Sequence, residues 1–274
     1  MSSGIWIVDA FTTRPFKGNP AGVCIMDKFP GDAQLQQIAL EMYLPETAFL
    51  VKKSAMEYDL RWFTPEVEVK LCGHATLAAT HVLLQSGRIK PKDMVTFHTL
   101  SGPLKARALD KAIELDFPLL EGKPAKAPAA LKSLDVDIVA CEKNRDNYLV
   151  EVDDYTTLIT CRPDFKKLAK ADAEGVIVTT ATGLPAGFDF ASRYFGPKVG
   201  IDEDLVTGSA HCFLAPYWAK KLGRKNFRAY QASKGEGILD VTLAGDRVLI
   251  GGHCVTTLKG QLQAPKPKKK EAFA

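Results

Sequence analysis

A weak internal repeat constrains the fold of this chain more than any other feature of its sequence. The segment RWFTPEV at residues 61–67 matches RYFGPKV at residues 193–199, with four identities in seven positions and an offset of 193 − 61 = 132 residues. Further along, each copy is followed by a Gly, a polar residue and an Ala, as GHA at 73–75 and GSA at 208–210. The second offset, 208 − 73 = 135, is nearly the same. We therefore interpret the sequence as a duplication that produces two similar lobes.

Two helices of unusual character begin at the repeated glycines. The segment HATLAATHVLLQ at 74–85 is apolar nearly all round, which is typical of a helix enclosed by other elements. The segment SAHCFLAPYWAKK at 209–221 is similar, although Pro216 is expected to bend this helix or end its first part. A third helix is expected after Asp32, which can cap it and which precedes apolar residues at helical spacing.

Strand-like segments rich in β-branched residues outnumber the helices, which predicts an α/β fold. The segment EGKPAKAPAA at 121–130 is rich in Pro, Ala and Lys and is interpreted as a linker. It separates an N-terminal lobe (1–120) from a C-terminal lobe (131–262), and a basic tail (263–274) is expected to be disordered. The strand candidates lie at 5–8, 21–26, 48–51, 58–63, 95–99, 113–117, 148–152, 175–179, 188–194, 238–243 and 247–251.

The charge and the cysteines of the chain disfavour several classes of protein. The formal net charge is +4, but the tail holds four lysines against one acid, which leaves 4 − 3 = +1 for the rest and predicts no nucleic-acid partner. The six cysteines show no CxxC pair and no metal-ligand spacing, which predicts reduced thiols in a cytoplasmic protein and no metal.

The chain also lacks the familiar motifs of secretion, membrane insertion and cofactor binding. Its start, MSSGIWIVDAF, has no basic region ahead of an apolar run, and no apolar run approaches transmembrane length, so we expect neither a signal peptide nor a membrane partner. The sequence contains no GxGxxG, no P-loop and no HExxH. The absence of these motifs disfavours dinucleotide binding, nucleoside triphosphate binding and zincin-type protease activity, and no cofactor is expected.

The two helix starts suggest a binding site for an anion. A helix start presents unpaired backbone N–H groups and a positive dipole, so the starts at Gly73 and Gly208, facing each other across a cleft, would clamp a small carboxylate. His74 and the acids of DEDLVTGSAH at 202–211 are candidates for acid/base chemistry. Glu46 stands among apolar residues in EMYLPETAFL, where burial would make it a stronger base; the alternative is a helix cap or a rim residue.

A set of segments distributed over most of the chain carries a family resemblance. Together they resemble the PhzF-like family, the relatives of the phenazine-biosynthesis isomerase, and within it the animal-type phenazine biosynthesis-like domain proteins. The resemblance runs from the first strand to about residue 260. The matching segments are DAFTTRPFKGNPAGVCIMD (9–27), EMYLPETAFL (41–50), LRWFTPEVEVKLCGHATLAATHVLL (60–84), PDFKKLA (163–169), GVIVTTA (175–181) and RYFGPKVGIDEDLVTGSAHCFLAPYW (193–218).

This resemblance implies a diaminopimelate-epimerase-like fold, with two pseudo-symmetric lobes that each wrap a curved mixed sheet around a central helix and share one site. It implies an isomerase that moves a proton within a cyclic carboxylate without a cofactor, with a glutamate as the base. Homodimers are common in the family. Carried onto this sequence, the catalytic residues are Glu46, His74 and Asp204, and the substrate-binding residues are Asn19, Gly73, Gly208 and Ser209.

Three departures from the family pattern leave a second interpretation open. Leu205 stands where the family usually has Pro, and Pro45 replaces a more common Ser. Gly235 and Glu236 disturb an Arg-Gly-Gly pattern and change the sign of a charge. These departures permit a non-catalytic binding or regulatory protein that retains the pocket.

Several other residues have two interpretations. Related racemases and epimerases of the implied fold use one cysteine from each lobe, but the counterpart of Cys72 is Thr207, a much weaker acid, so Cys72 is predicted to be a buried small hydrophobe. Asn19 either shapes a turn or lines the cleft. His81 is predicted to be a core histidine bonded to backbone, and His211 is expected to point away from the site.

Overall fold

The computed structural model describes residues 2–110 and 112–263, so all but the first residue of the predicted basic tail lies outside the described residues. Within the described residues, the first half of the chain forms nine strands and two helices. These are β1 (Ser2–Ala10), β2 (Asn19–Met26), α1 (Asp32–Met42), β3 (Glu46–Lys52), β4 (Glu57–Phe63), β5 (Glu68–Val69), α2 (Gly73–Gln85), β6 (Met94–Thr99), β7 (Gly102–Ala108), β8 (Ile113–Pro118) and β9 (Lys123–Pro124).

The second half repeats this order after a 3₁₀ helix at Ala129–Leu134. A second 3₁₀ turn, Pro197–Val199, precedes β14. The elements are β10 (Ala140–Lys143), β11 (Asn147–Glu151), α3 (Tyr155–Thr160), α4 (Phe165–Leu168), β12 (Gly175–Thr180), β13 (Phe190–Gly196), β14 (Ile201–Asp204), α5 (His211–Leu222), β15 (Asn226–Gln231), β16 (Gly237–Ala244), β17 (Arg247–Gly252) and β18 (Cys254–Gln263).

The strand pairings show that the duplication extends to the whole topology. In the first half, β1 pairs antiparallel with β2, β2 parallel with β3, β3 antiparallel with β4, and β4 parallel with β6, followed by the antiparallel strands β7 and β8. The second half has the same succession in β10, β11, β12, β13, β15, β16 and β17. The two half-sheets join where β8 and β17 pair antiparallel.

The terminal strands cross between the halves. Strand β9 of the first half pairs with β10, and β18 of the second half pairs with β1 along its whole length. The predicted lobe limits at 120 and 131 stay a prediction, but these pairings show that residues 254–263 lie on the sheet of the first half.

Each half wraps its sheet around one central helix, as the apolar patterns indicate. In α2 all residues from Gly73 to Thr80 are buried, and in α5 all residues from His211 to Trp218 are buried. Both helices belong to one continuous apolar cluster, which also includes Trp62 and Phe117. Helix α1 covers the outer face of the first sheet, and α3 and α4 cover the outer face of the second. No helix in the described part of the chain has the length and hydropathy needed to cross a membrane.

The repeated Arg and Phe form the same contact in both halves. Arg61 donates Nε and Nη2 to the carboxylate of Glu68, both at 2.7 Å, and its guanidinium lies 5.1 Å from the ring centroid of Phe63. Arg193 donates likewise to Glu203, at 2.7 and 3.0 Å, and lies 4.8 Å from the ring of Phe195. The sequence repeat is therefore a repeat of one packing unit.

One local prediction about helices is wrong, and one of the two alternatives given for Pro216 is excluded. Asp32 does not cap α1, because the residue at the cap position is Gly31 and the Asp32 carboxylate instead accepts a hydrogen bond from Arg61 at 2.8 Å. Pro216 does not end α5, which runs through it from His211. A proline removes the hydrogen bond to the carbonyl four residues earlier, and that carbonyl, of Cys212, accepts from the backbone N–H of Leu120 at 3.1 Å.

Candidate active site

Polar side chains from both halves of the chain meet in one cluster. Asn19 is the first residue of β2 and Glu46 the first residue of β3, and the parallel pairing of these strands places both at one edge of the sheet. His74 is the second residue of α2, and Asp204 is the last residue of β14. Gly18 allows the turn into Asn19, because its φ is +74° and a Cβ there would lie 2.1 Å from the carbonyl oxygen of Ala10.

His74 lies at the centre of this cluster. Its Nε2 lies 3.1 Å from Oε2 of Glu46, a close ion pair that is not aligned as a hydrogen bond. Its Nδ1 lies 3.6 Å from Sγ of Cys72 and 3.3 Å from Nδ2 of Asn19. Glu46 thus begins a strand and faces a histidine in addition to its apolar neighbours in sequence.

Asn19 connects the histidine to the second half of the chain. Its Nδ2 donates to Oδ1 of Asp204 at 2.8 Å and to the carbonyl oxygen of Val206 at 3.0 Å, which uses both amide hydrogens. Oδ2 of Asp204 accepts a hydrogen bond from the Thr207 hydroxyl at 2.6 Å. Asn19 is fully buried, so it acts as a link between the halves and not only as a turn residue.

Gln231, which the sequence analysis did not identify, holds the loop that carries Asp204. Its Nε2 donates to the carbonyl oxygen of Asp204 at 3.0 Å and to the hydroxyl of Thr207 at 3.2 Å, while its Oε1 accepts from the Thr207 backbone at 2.8 Å. Gln231 is fully buried at the end of β15. The sequence offered one signal for Gln231, a polar residue at the end of a segment in which apolar and polar residues alternate. Such a pattern alone does not show whether the last residue belongs to the strand or to the following loop.

The charges around His74 favour its protonated form. Burial lowers the pKa of His74, but Cys72 and the carboxylate of Glu46 raise it, and the net pKa lies well above its ordinary value of 6.5. Burial also raises the pKa of the Cys72 thiol, so this thiol is neutral at neutral pH. The part of this rise that comes from Cys72 is therefore lost while its thiol is neutral, and the carboxylate of Glu46 is the remaining negative charge that favours a proton on His74.

Asp204 holds a proton more readily than an exposed aspartate does. Burial raises its pKa, and the opposing effects of His74, of the Thr207 hydroxyl and of Asn19 do not cancel that rise. The two carboxyl groups of the site differ in surroundings, because Glu46 lies 3.1 Å from His74, whereas Asp204 accepts hydrogen bonds from Asn19 and Thr207 in addition to the influence of the His74 charge. Such a difference is what a base and an acid working side by side require.

The two repeated glycines lie in contact. A Cβ built on Gly73 would lie 3.6 Å from Cα of Gly208, and one on Gly208 would lie 3.7 Å from Cα of Gly73. Helix α2 begins at Gly73, whereas α5 begins at His211 after a turn that contains Gly208 and the exposed Ser209. The structure thus brings six of the seven predicted site residues into one cluster, and Ser209 follows Gly208 with an exposed side chain.

The departures from the family pattern lie beside this cluster and not within it. Glu236 is the residue whose charge differs in sign from the family pattern. It pairs with Arg14 at 2.5 Å and with Lys17 at 2.6 Å, and so joins two loops from opposite halves. The carbonyl oxygen of Leu205 accepts a hydrogen bond from Ser233. A cavity of about 510 Å³ opens next to these loops and is lined by Asp9, Gly18, Pro20, Leu205 and Lys234 among others.

The remaining histidines and cysteines lie outside the cluster, apart from Cys72. His81 bonds the hydroxyl of Thr256 at 3.1 Å, so its partner is a side chain and not the backbone that was predicted. His211 is fully buried, and its Nδ1 lies 2.9 Å from the carbonyl oxygen of Thr207. All six cysteines are free thiols.

We expect His211 to make the stability of the fold depend on pH. Burial lowers its pKa to about 4 from 6.5, so the folded chain binds fewer protons here than the unfolded chain between these values. The contribution is complete above pH 6.5 and is lost as the pH falls toward 4, by about 3 kcal/mol. Urea unfolding across this range should show a shallower loss in His211→Gln than in the wild type. The half-exposed His98 supplies the control, His98→Gln, which should follow the wild type.

Comparisons with known proteins place the chain among isomerases of the PhzF type. The family model described as "Phenazine biosynthesis-like protein" matches residues 8–260. The chain belongs to this family. An uncharacterized isomerase of Halalkalibacterium halodurans is 44% identical over 264 residues, which cover 96% of this chain and 99% of that protein.

Two further comparisons support the same assignment. The human phenazine biosynthesis-like domain-containing protein is 39% identical over 292 residues, which cover 96% of this chain and 100% of that protein. The crystal structure of a PhzF-family protein from Enterococcus faecalis matches with a TM-score of 0.91 at 39% identity, covering 96% of this chain and 100% of that chain. The predicted diaminopimelate-epimerase-like fold class is confirmed.

Proposed function

We propose that this chain catalyses proton transfer within a small carboxylate-bearing metabolite, cyclic substrates included, by general acid/base chemistry without a cofactor. The observation that supports this most is the convergence of two carboxyl groups from different halves on His74 and Asn19. Burying a charge is costly unless it is paired, and nearly buried acids with specific charged partners in one cluster are typical of active sites.

Glu46 is the proposed base. Its carboxylate is 13% exposed, so one face remains open to a ligand while the other contacts His74. Protonated His74 fixes the orientation of the carboxylate and stabilises its charge before the reaction. Glu46 then takes a proton from a substrate carbon and becomes a neutral acid, which is the step that general base catalysis accelerates by about 10²- to 10⁴-fold.

Asp204 is the proposed acid. It holds its proton readily, and the hydrogen bonds from Asn19 and Thr207 fix its position. It would return a proton to a second position of the substrate, so that the product has the same composition as the substrate. Because Glu46 and Asp204 come from different halves, the substrate would lie between the halves.

The substrate carboxylate is proposed to bind at the start of α2 and at the turn that precedes α5, with Gly73 and Gly208 supplying backbone N–H groups and Ser209 a hydroxyl. Because the two glycines touch and His74 is 5% exposed, the halves have to part to admit the substrate. The cavity beside Gly18 and Leu205 supplies open space next to the cluster for such a movement.

We further propose a cytoplasmic homodimer that binds neither nucleic acid nor membranes. Six free thiols suit a reducing compartment, and the described part of the chain has little net charge to attract polyanions. The predicted division into lobes at 1–120 and 131–262 remains part of this proposal.

A screen in deuterated water tests the proposed activity. Cyclic carboxylates and amino acids are incubated with the protein, and each compound is examined for a gain of mass. We expect at least one compound to gain deuterium at carbon. A compound that raises the melting temperature but never exchanges, with no exchange in any other compound, would instead favour the non-catalytic binding protein.

A further inference from the structure

We propose that Glu46, Cys72 and His74 form a binding site for a thiophilic divalent cation such as Zn²⁺, and that the bound ion inhibits the enzyme. These three residues supply a carboxylate oxygen, a thiol sulfur and an imidazole nitrogen, and one such atom from each lies within 4.8 Å of the others. Among residues 2–110 and 112–263 this is the single group of three or more potential metal ligands that lies so close together.

The spacing of the donor atoms suits a tetrahedral ion. Bond lengths of about 2.0–2.3 Å to zinc place neighbouring donor atoms about 3.4–3.6 Å apart. Sγ of Cys72 lies 3.6 Å from Nδ1 of His74, and Oε2 of Glu46 lies 3.1 Å from Nε2 of the same ring. Each neighbour faces a different nitrogen of the ring, and the ring would bind an ion through one of them, so the side chains of His74 and of one neighbour have to rotate to bring all three donors onto a single ion.

The chemistry of the donors selects the type of cation. A set of sulfur, nitrogen and oxygen ligands favours Zn²⁺ and related transition metals, whereas Mg²⁺ requires oxygen ligands and keeps several waters. Three protein ligands leave a fourth position, which a water molecule or a substrate carboxylate would fill. Cys72 is what separates this set from an ordinary acid/base pair, and the proposed proton transfer assigns no role to Cys72.

Inhibition follows from which residues the ion occupies. A cation bound to Glu46 removes the lone pair that the base needs, and coordination at His74 displaces the proton that fixes the glutamate. The thiol proton of Cys72 is released to solvent when the sulfur binds the metal. The inhibitory part of the proposal rests on the proposed function, whereas metal binding does not.

Binding can be measured without a substrate. Calorimetric titration of the full chain with zinc chloride should show one ion bound per chain, and Co²⁺ should give the absorption typical of sulfur-to-cobalt charge transfer. Cys72→Ala should weaken zinc binding by more than about tenfold and abolish the cobalt band. Cys72→Ser provides a second variant of nearly native size. Cys212→Ala, which removes a buried thiol at the start of α5, is the matched control and should behave as the wild type.

The outcomes separate the two parts of the proposal. Equal zinc affinity in wild type and both Cys72 variants, or no saturable binding in the wild type, would overturn the metal site. If zinc binds as expected and raises turnover of a compound found by exchange, the site exists and its inhibitory role is wrong. If no compound exchanges, the proposed function is wrong, and the calorimetric and cobalt results still decide whether the metal site exists.

Discussion

Glu46→Gln is expected to lower turnover by about 10²- to 10⁴-fold while the affinity for the ligand stays within about tenfold of the wild type. Glutamine keeps the size of the side chain and its hydrogen-bonding capacity but cannot accept a proton from carbon. Ligand affinity should survive, because the carboxylate of the ligand is proposed to bind at Gly73 and Gly208 and not at Glu46. Calorimetry measures the affinity, and a steady-state assay of the exchanging compound measures turnover.

The chain offers a matched control for this substitution. Glu57 begins β4 much as Glu46 begins β3, but it lies at the surface, with 48% of its side chain exposed. Glu57→Gln should leave both turnover and affinity unchanged. Parallel losses of affinity and turnover in Glu46→Gln would instead show that this glutamate holds the ligand or the local fold.

Arg193→Ala is expected to lower the stability of the fold by about 3 kcal/mol. The side chain is 8% exposed and holds the carboxylate of Glu203 with two hydrogen bonds. It also donates to the backbone carbonyls of Leu158 and Cys161, at 3.1 and 2.8 Å. Alanine would leave a partly buried carboxylate and two buried carbonyls without these partners.

The duplication supplies the control for this experiment. Arg61 occupies the equivalent position, but its side chain is 20% exposed and its second partner, Asp32, is 81% exposed. Arg61→Ala should therefore cost only about 1 kcal/mol. Urea unfolding of both variants gives the comparison, and losses of equal size would show that the carbonyl contacts of Arg193 contribute little.

The sequence alone predicted the large elements of the fold but not the contacts between distant parts of the chain. The sequence pattern identified α2 and α5, because a helix that is buried on all sides is apolar all round and a surface helix is not. It could not show that β18 returns to β1, since half of that strand's residues are polar and its partner lies at the other end of the chain. Nor could it show that Pro216 is tolerated inside α5, because the compensating N–H comes from Leu120.

The same limit applies to the site. The resemblance named Glu46, His74 and Asp204 one at a time, and the structure supplies the ion pair and the amide bridge that join them. Cys72 and His74 lie close together in sequence, yet the contact between their side chains depends on the extended backbone of Cys72 immediately before α2. Contacts of this kind depend on backbone angles that a residue pattern does not encode.

Solvent deuterium exchange in the wild type, Glu46→Gln and Asp204→Asn, run side by side on one exchanging compound, tests the central claim most directly. The account predicts that the wild type incorporates deuterium at carbon without a change of oxidation state, that Asp204→Asn does so more slowly, and that Glu46→Gln incorporates almost none. Exchange by Glu46→Gln at a rate comparable to that of the wild type would contradict the account, because the proton would then be removed by another group.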